Sequence, residues 1–323
     1  MQRRTFARGA IAAAIAAGAP SLRAQAAYPN KPLTFVVPFA AGGGGDVVAR
    51  MMARGLTERI NTSVVVENRV GAGGNIGSNY VLKSPADGYT LLNMSSSYAI
   101  QAAVSKLPYD PIADMQPILM VSRDPAVVVV NIDSPLRTVK DLQDAAKASP
   151  NKLTYGSAGV GSIAHLGMEE LAYNMGVKFV HVPYKGSSQA FNDVLSKHVD
   201  MMLTSTTYAA TFVKAGRVRA LGISNPTRLP FLPDVPTFAE QGWPQYQVVD
   251  WKAIAGPRGM PPDVIAFLNR ELNETMKKDT IYEKFRAEGT TIVGGTPEQM
   301  MQVVRSDIER WRNLVKVANI KIE

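Results

Sequence analysis

The sequence predicts an α/β fold, because apolar strands alternate with helical patterns along most of the chain. Residues 34–39 form a near-continuous apolar run, which is typical of a parallel strand buried on both faces of a sheet. Four glycines follow at residues 42–45, and a helical pattern with apolar residues at every fourth position comes next: Val48, Met52, Leu56 and Ile60. The alternation starts again after Asp124, so two α/β units are expected.

The remaining elements follow from the same patterns. In the first unit, strands are expected at residues 63–67 and 89–94, with a glycine loop and a helix through Tyr80 between them. In the second unit, the capping pattern Thr138-Val139-Lys140-Asp141 opens a helix. The other predicted elements of this unit are strands at 126–132, 152–155, 178–182, 200–204 and 218–224, and helices at 163–175 and 187–198.

A proline-rich connector, residues 225–244, follows the second unit. A strand at 248–255 and a helix over 264–276 come next, and Thr296 opens a last helix with Pro297 at its first position. The apolar residues expected to be buried on that helix are Met301, Val304, Ile308, Trp311 and Val315.

The first 26 residues are predicted to be an export signal. Arg3 and Arg4 form a basic head, residues 11–19 a short apolar core, and Ala24-Gln25-Ala26 a small-residue cleavage site. The two arginines are compatible with the twin-arginine route and with ordinary secretion. The leader holds four arginines and no acid, so the formal charge of +8 falls to +4 after its removal. We therefore expect a periplasmic protein without nucleic-acid binding.

The 297 residues that follow the leader suggest two domains, at about 150 residues each. The predicted boundaries place residues 27–124 and 225–323 in one lobe and residues 125–224 in the other. Residues 127–131 and 248–255 are similar strands that lead through prolines into helices, as expected where a chain crosses between two lobes and returns at a hinge. Two unrelated strand-turn-helix segments would give the same pattern.

The sequence offers few catalytic or metal-binding patterns. A chain without cysteine has no disulfides, thiolate ligands or thiol nucleophile. Its three histidines (His165, His181 and His198) lack metal-site spacing, and the Gly-x-Ser-x-Gly and phosphate-loop motifs are absent. Residues 159–164 match Gly-x-Gly-x-x-Ala, but the next strand ends without the acid that a dinucleotide ribose requires. No cofactor and no enzymatic activity are expected.

Two glycine loops, residues 42–45 and 156–162, each connect a strand to a helix. Such a junction offers amide groups at the positive end of a helix dipole, which suits an anion. Ligands of open α/β sheets bind beyond the carboxyl ends of the strands, where both loops are expected. A carboxylate between them would accept hydrogen bonds from Gly43, Gly44 and Ser157. Alternatively, the glycines only permit tight turns.

Other candidate side chains lie near the same strand ends. Asp46 either stabilises the first turn of its helix or bonds a ligand amine. His165 either donates to a carboxylate or packs. Tyr184, Thr204 and Ser205 end later strands and are placed to line the cleft.

An ordered set of motifs spans nearly the whole chain after the leader. The motifs are PFAAGGGGD at 38–46, GGNIG at 73–77, LPYDP at 107–111, YGSAG at 155–159, VPYKG at 182–186 and LPDVPTFAE at 232–240. This set resembles the solute-binding receptors of tripartite tricarboxylate transporters, the Bug family.

The resemblance implies a type II periplasmic-binding-protein fold, with two lobes joined by two crossing strands. It further implies that the loops at 39–46 and 155–162 hold the carboxylate of a small acid through main-chain groups and bridging water. Relatives often have serine or proline among the first glycines, so this chain departs from them there. The candidate ligand-binding residues are Phe39, Ala40, Gly43, Gly44, Asp46, Asn75, Ser157, Ala158, Gly161, Ser162, His165, Tyr184, Thr204 and Ser205.

The function expected from these observations is capture of a small carboxylate for delivery to the membrane permease subunits of a tripartite transporter. The receptor is expected to be monomeric. An exported enzyme that acts on an organic acid, or a ligand sensor that partners a signalling protein, are the alternatives. An inward-facing Asp46 would favour amino acids, and its absence from the pocket would favour plain acids.

Overall fold

The computed structural model describes residues 28–287 and 290–320. The predicted leader, residues 1–26, lies outside the described residues. Within the described part of the chain, no helix combines the length and the apolar character needed to cross a membrane.

Ten described strands form one curled, mixed sheet in the order β2-β1-β3-β9-β4-β7-β5-β6, and β8 and β10 also pair with β4. The strands are β1 (Leu33–Val37), β2 (Val64–Asn68), β3 (Thr90–Ser95), β4 (Met115–Asn131), β5 (Thr154–Ser157), β6 (Val180–Pro183), β7 (Met201–Ser205), β8 (Val218–Ser224), β9 (Val249–Pro257) and β10 (Thr291–Gly294).

Helices cover the faces of this sheet. The described helices are α1 (Gly44–Ile60), α2 (Asn75–Leu82), α3 (Ser96–Val104), α4 (Val139–Ala148), α5 (Ile163–Met175), α6 (Ser187–Leu195), α7 (Thr206–Lys214), α8 (Pro262–Met276), α9 (Asp279–Ala287) and α10 (Pro297–Val317).

The long strand β4 joins two lobes. Its first part, up to Pro125, pairs with β9 and β10, and its second part, from Ala126 to Asn131, pairs with β7 and β8. We call the part built on β1–β3, β9, β10 and the first part of β4 the first lobe, and the part built on β5–β8 the second lobe. Strand β4 pairs in both lobes, and the chain returns from the second lobe into β9, so two strands connect the two lobes as predicted.

Local sequence signals account for several helix ends. The predicted capping box is present at α4, where Thr138 and Asp141 exchange side-chain and backbone hydrogen bonds. Thr296 and Gln299 form a second capping box at α10, the helix that Thr296 was predicted to open. Helix α5 ends at Gly176, whose φ of 64° suits glycine at a helix end. These helices therefore begin and end close to where the sequence predicts.

The connector at residues 225–248 packs along the second lobe. Phe238 N donates to Ile223 O at 3.0 Å, and the buried Tyr246 hydroxyl donates to Gly167 O at 3.0 Å. The chain then returns to the first lobe in β9. The boundaries at residues 124/125 and 224/225 remain a prediction. They assign the connector to the first lobe, whereas in the structure the connector contacts the second lobe.

The structure differs from the sequence prediction in three respects. The sheet is parallel only in β1–β3 and in β5–β7, because β4 and β9 run antiparallel where they cross between the lobes. The predicted strand at 126–132 covers only the second part of β4. Pro117 and Pro125 lie inside the full strand, and because proline is uncommon inside a strand, the sequence pattern did not indicate the first part. Helices α3, α7 and α9 and strand β10 were not predicted; α3 and α7 are short stretches that follow strands with no intervening loop.

Candidate functional site

A cavity of about 640 Å³, part of it open to solvent, lies between the two lobes. The first lobe contributes one side and the second lobe the other. The lining residues are Val37, Phe39, Ala40, Gly43, Gly44, Gly45, Asp46, Asn93, Ser95, Ser97, Asp250 and Lys252 from the first lobe, and Ala158, Ser162, Ile163, Ala164, Ser187, Leu203, Thr204 and Ser205 from the second.

The first residues of five helices border this cavity. Helices α1 and α3 begin on the first lobe, and α5, α6 and α7 begin on the second. The first amide groups of a helix have no partner within the helix, and the helix dipole makes this end positive. Helix α1 has no side-chain cap at Gly43, so its first-turn amides are not occupied by a capping side chain. Helices α3 and α6 also lack a side-chain cap, whereas Ser162 caps α5 and Ser205 caps α7. The uncapped helix starts therefore offer the cavity hydrogen-bond donors that favour an anion.

Asp46 holds the first glycine loop. Its carboxylate accepts hydrogen bonds from Gly42 N, at 2.9 Å, and from the side chains of Arg50 and Asn68. Burial tends to raise the pKa of Asp46, but these donors outweigh burial and hold the pKa below its ordinary value. Asp46 lines the cavity, yet its carboxylate is already bonded within its own lobe, which favours the structural role over the bond to a ligand amine.

In the second glycine loop, Ser157 is fully buried and bonds within the protein. Its Oγ accepts from Gly159 N at 3.0 Å and lies 2.6 Å from Nε2 of His181. His165 accepts from Gly161 N through Nδ1, at 3.1 Å, and its ring stacks on that of His181. Because the hydroxyl of Ser157 is enclosed, this serine-histidine pair gives no support to the enzyme alternative.

The two histidines are held in their neutral forms. Burial lowers the pKa of His165, to about 3, with the neighbouring His181 as a second cause. Burial also lowers the pKa of His181, to about 4. Both rings border a hollow on the surface of the second lobe instead of the cavity between the lobes.

A second hollow adjoins the cavity and shares Phe39 and Ala158 with it. Asn75 and Tyr184 border this hollow, and both are bonded to other side chains: Asn75 donates to Gln101 Oε1 at 3.0 Å, and the Tyr184 hydroxyl donates to Asp193. We therefore place Asn75 and Tyr184 beside the cavity, outside its immediate lining.

Hydrogen bonds connect the lobes around the cavity. Ser97 Oγ accepts from Ile163 N at 3.1 Å, Gln101 Nε2 donates to Val160 O at 2.8 Å, and Ser188 Oγ donates to Ala41 O at 3.1 Å. Gly161 lies against Gln101 with φ of 73°, and an added Cβ there would be 2.2 Å from Gln101 Nε2. Gly161 thus permits the lobes to approach each other. We call these three hydrogen bonds the closure contacts.

A buried ionic cluster lies at one end of the cavity, where the two crossing strands meet. Lys252 on β9 is only 1% exposed, and its Nζ lies 2.5 Å from Asp250 Oδ2 and 3.5 Å from Asp124 Oδ2 on β4. Thr207 of the second lobe and Thr290 of the first donate to Asp124 as well. The cluster therefore links both strands and both lobes.

Burial and charge act in opposite directions on this cluster. Burial raises the pKa of the Asp124 carboxyl, and Lys252 opposes that effect. Burial lowers the pKa of the Lys252 ammonium, but Asp250 and Asp124 outweigh burial and raise it. Lys252 is therefore a charged group that its own acids neutralise. No group of three or more potential metal ligands is found among residues 28–287 and 290–320.

The structure brings together most, but not all, of the candidates from the sequence. Those that line the cavity are Phe39, Ala40, Gly43, Gly44, Asp46, Ala158, Ser162, Thr204 and Ser205. Those that do not line it are Asn75, Ser157, Gly161, His165 and Tyr184. The roles of all of them in ligand binding remain a prediction.

Sequence reasoning missed Asn93, Ser95, Asp250 and Lys252, which also line the cavity. Polar residues inside the apolar strands β3 and β9 were a signal that could have identified them. A buried lysine or asparagine in such a strand needs a partner, and strand ends of this fold class are where ligands bind.

Comparison with known proteins identifies the family. Residues 48–320 match the model of the family described as tripartite tricarboxylate transporter family receptor. The chain belongs to this receptor family. The receptor is also 40% identical, over 94% of its length and 91% of the relative, to the protein from Pseudomonas sp. (strain P51) named for the tcbD-tcbE intergenic region.

Solved structures of similar proteins share the fold of this receptor. The periplasmic binding protein BugD is 33% identical, with a TM-score of 0.88 over 91% of this chain and 99% of that one. The R. palustris protein Rpa4515, solved with adipate, is 34% identical, with a TM-score of 0.87 over the same shares of the two chains. The two-lobed periplasmic-binding-protein fold is thereby confirmed.

Replacing Lys252 with methionine is expected to lower the free energy of unfolding by about 3–5 kcal/mol at pH 7. The substitution keeps the length of the side chain but leaves the Asp124 and Asp250 carboxylates buried without their cation. Denaturant unfolding would measure the loss. Lys140→Met is the control, because the Lys140–Asp144 pair is exposed and contributes little. Equal stability of the two variants would contradict the role of the cluster.

Asp46→Asn is expected to lower the free energy of unfolding by about 1–2 kcal/mol at neutral pH, since charged hydrogen bonds to Arg50 are weakened. The pKa of Asp46 is lower in the folded protein than its ordinary value of 3.8, so the ionised carboxylate stabilises the fold above that value. The difference between wild type and variant should shrink as the pH falls below about 4. Unfolding curves between pH 3 and pH 7 test this, and a difference that is constant with pH would refute it.

Proposed function

We propose that this receptor captures a small carboxylate between its two lobes and presents it to the membrane permease subunits of a tripartite transporter. The receptor acts in the periplasm after removal of the predicted leader. It binds and releases its solute without chemical change, as a monomer.

The observation that supports this proposal is the arrangement of five helix starts, three of them (α1, α3 and α6) without a side-chain cap, around one cavity between the lobes. Each charged hydrogen bond to a carboxylate contributes about 1.5–3 kcal/mol. Micromolar binding requires about 8 kcal/mol, so a few amide donors from the two lobes are sufficient. The charged residues Asp46, Asp250 and Lys252 are already paired, which leaves the amide groups as the main partners of the solute.

The solved relative with adipate supports the same class of solute. That protein is 34% identical to this receptor and aligns with almost all of it. A carboxylate in a relative and a donor-lined cavity in this chain are independent observations. Together they favour a carboxylate over a sugar or a cation.

A panel of mono-, di- and tricarboxylates, measured by titration calorimetry against the purified receptor, tests the proposal. At least one acid should bind with a Kd in the micromolar range or below. Gly44→Val should weaken that binding at least about tenfold. A Cβ at Gly44 would lie 2.9 Å from Ser205 Oγ on the other lobe, so a branched side chain obstructs closure.

Arg54→Val is the control for this variant, because Arg54 is exposed on the same helix and lies away from the cavity. It should bind like the wild type. No response to any carboxylate, from protein whose thermal unfolding shows that it is folded, would refute the proposed function. Unchanged affinity in Gly44→Val would remove the first glycine loop from the site.

A further inference from the structure

One buried acceptor in the cavity has no partner. Asn93 on β3 is 3% exposed, and its Nδ2 donates to Gly45 O at 3.1 Å. Its Oδ1 accepts no hydrogen bond within the described residues. Exchanging the two atoms of the amide would place two acceptors against each other at Gly45 O, so the orientation of the side chain is determined.

Asn93 lies among other polar groups on the first-lobe side of the cavity. Asn93 and Ser95 are two residues apart on β3 and so share a face of the sheet, and Ser95 pairs with Lys252 on β9. Asp250 also lines the cavity; its Oδ1 accepts from Ser96 Oγ at 2.7 Å and its Oδ2 from Lys252. A carboxylate oxygen has room for a second donor. This side of the cavity therefore offers acceptors, whereas the helix starts offer donors.

We infer that the solute carries, besides its carboxylate, a hydroxyl or ammonium group that donates a hydrogen bond to Asn93 Oδ1. This inference rests on the proposed function. A buried acceptor without a donor costs free energy, and a solute that supplies the donor recovers that cost. A plain acid has a methylene group at the same position, which leaves Oδ1 unpaired. Sites built in this way discriminate strongly against analogues that lack the donor.

The test compares acids that share a carbon skeleton. The series are propionate, lactate and alanine; succinate, malate and aspartate; and glutarate, 2-hydroxyglutarate and glutamate. In the series that binds, the hydroxy or the amino acid should bind to the wild-type receptor at least about tenfold more tightly than the plain acid. The comparison between hydroxy and amino acid identifies the donor.

Equal or tighter binding of the plain acid overturns the inference but leaves the proposed function intact. Failure of every acid to bind refutes the proposed function itself, and the inference with it. The two failures are therefore distinguishable in one experiment on the unmodified protein.

A pair of variants tests whether Asn93 is the residue responsible. Asn93→Leu replaces the carboxamide with an apolar side chain of similar size. It should bring the affinities for plain and substituted acids to within about threefold of each other. Asn79→Leu is the matched control, since Asn79 Oδ1 on α2 is also buried without a partner but does not border the cavity.

The control variant should keep the wild-type preference. A preference that survives in a folded Asn93→Leu protein overturns the assignment to Asn93. If that variant does not fold, the comparison of acids on the wild-type receptor still decides whether the solute needs a donor group.

Discussion

The ionic contact of Lys252 with Asp124 and Asp250 is the interaction on which the arrangement of this receptor depends. It joins β4 and β9 at the point where the chain passes between the lobes, and it forms one end of the cavity. An apolar contact between β4 and β9 would also hold the two strands together, but it would place no charged groups at the cavity. Because the one ammonium of Lys252 is paired with two acids, the cluster orders the hinge strands, and Lys252 is not left as a free cation for an anion.

In the proposed function, recognition in this cavity relies on geometry more than on net charge. Amide groups at helix starts bind a carboxylate of almost any acid, since they contact only the group that all such acids share. Discrimination must then come from the few side chains that face the rest of the solute. Asn93 is such a side chain, and the single orientation that Gly45 allows it makes it a rigid one.

The sequence contained enough information for the fold and for the glycine loops that border the cavity, but not for the polar residues of β3 and β9. Strand-glycine-helix junctions put Gly43, Gly44 and Ser162 at the cavity, because a strand end and a helix start are local features. Ser157 and His165 are each next in sequence to a cavity residue, Ala158 and Ala164, and only the local turn decides which way they face. Lys252 and Asp124 meet across 128 positions of sequence, a pairing that the register of β4 with β9 determines and that no local pattern encodes.

The closure contacts between the lobes have a thermodynamic consequence for transport. Ser97, Gln101 and Ser188 bond to main-chain groups of the opposite lobe, so these bonds favour closing whatever the identity of the solute. Binding of the solute then has to supply only that part of the free energy of closure that the closure contacts do not provide. If the receptor acts as proposed, a permease that pulls the lobes apart must break the same bonds, and the work of breaking them sets a lower limit on the free energy needed for release of the solute.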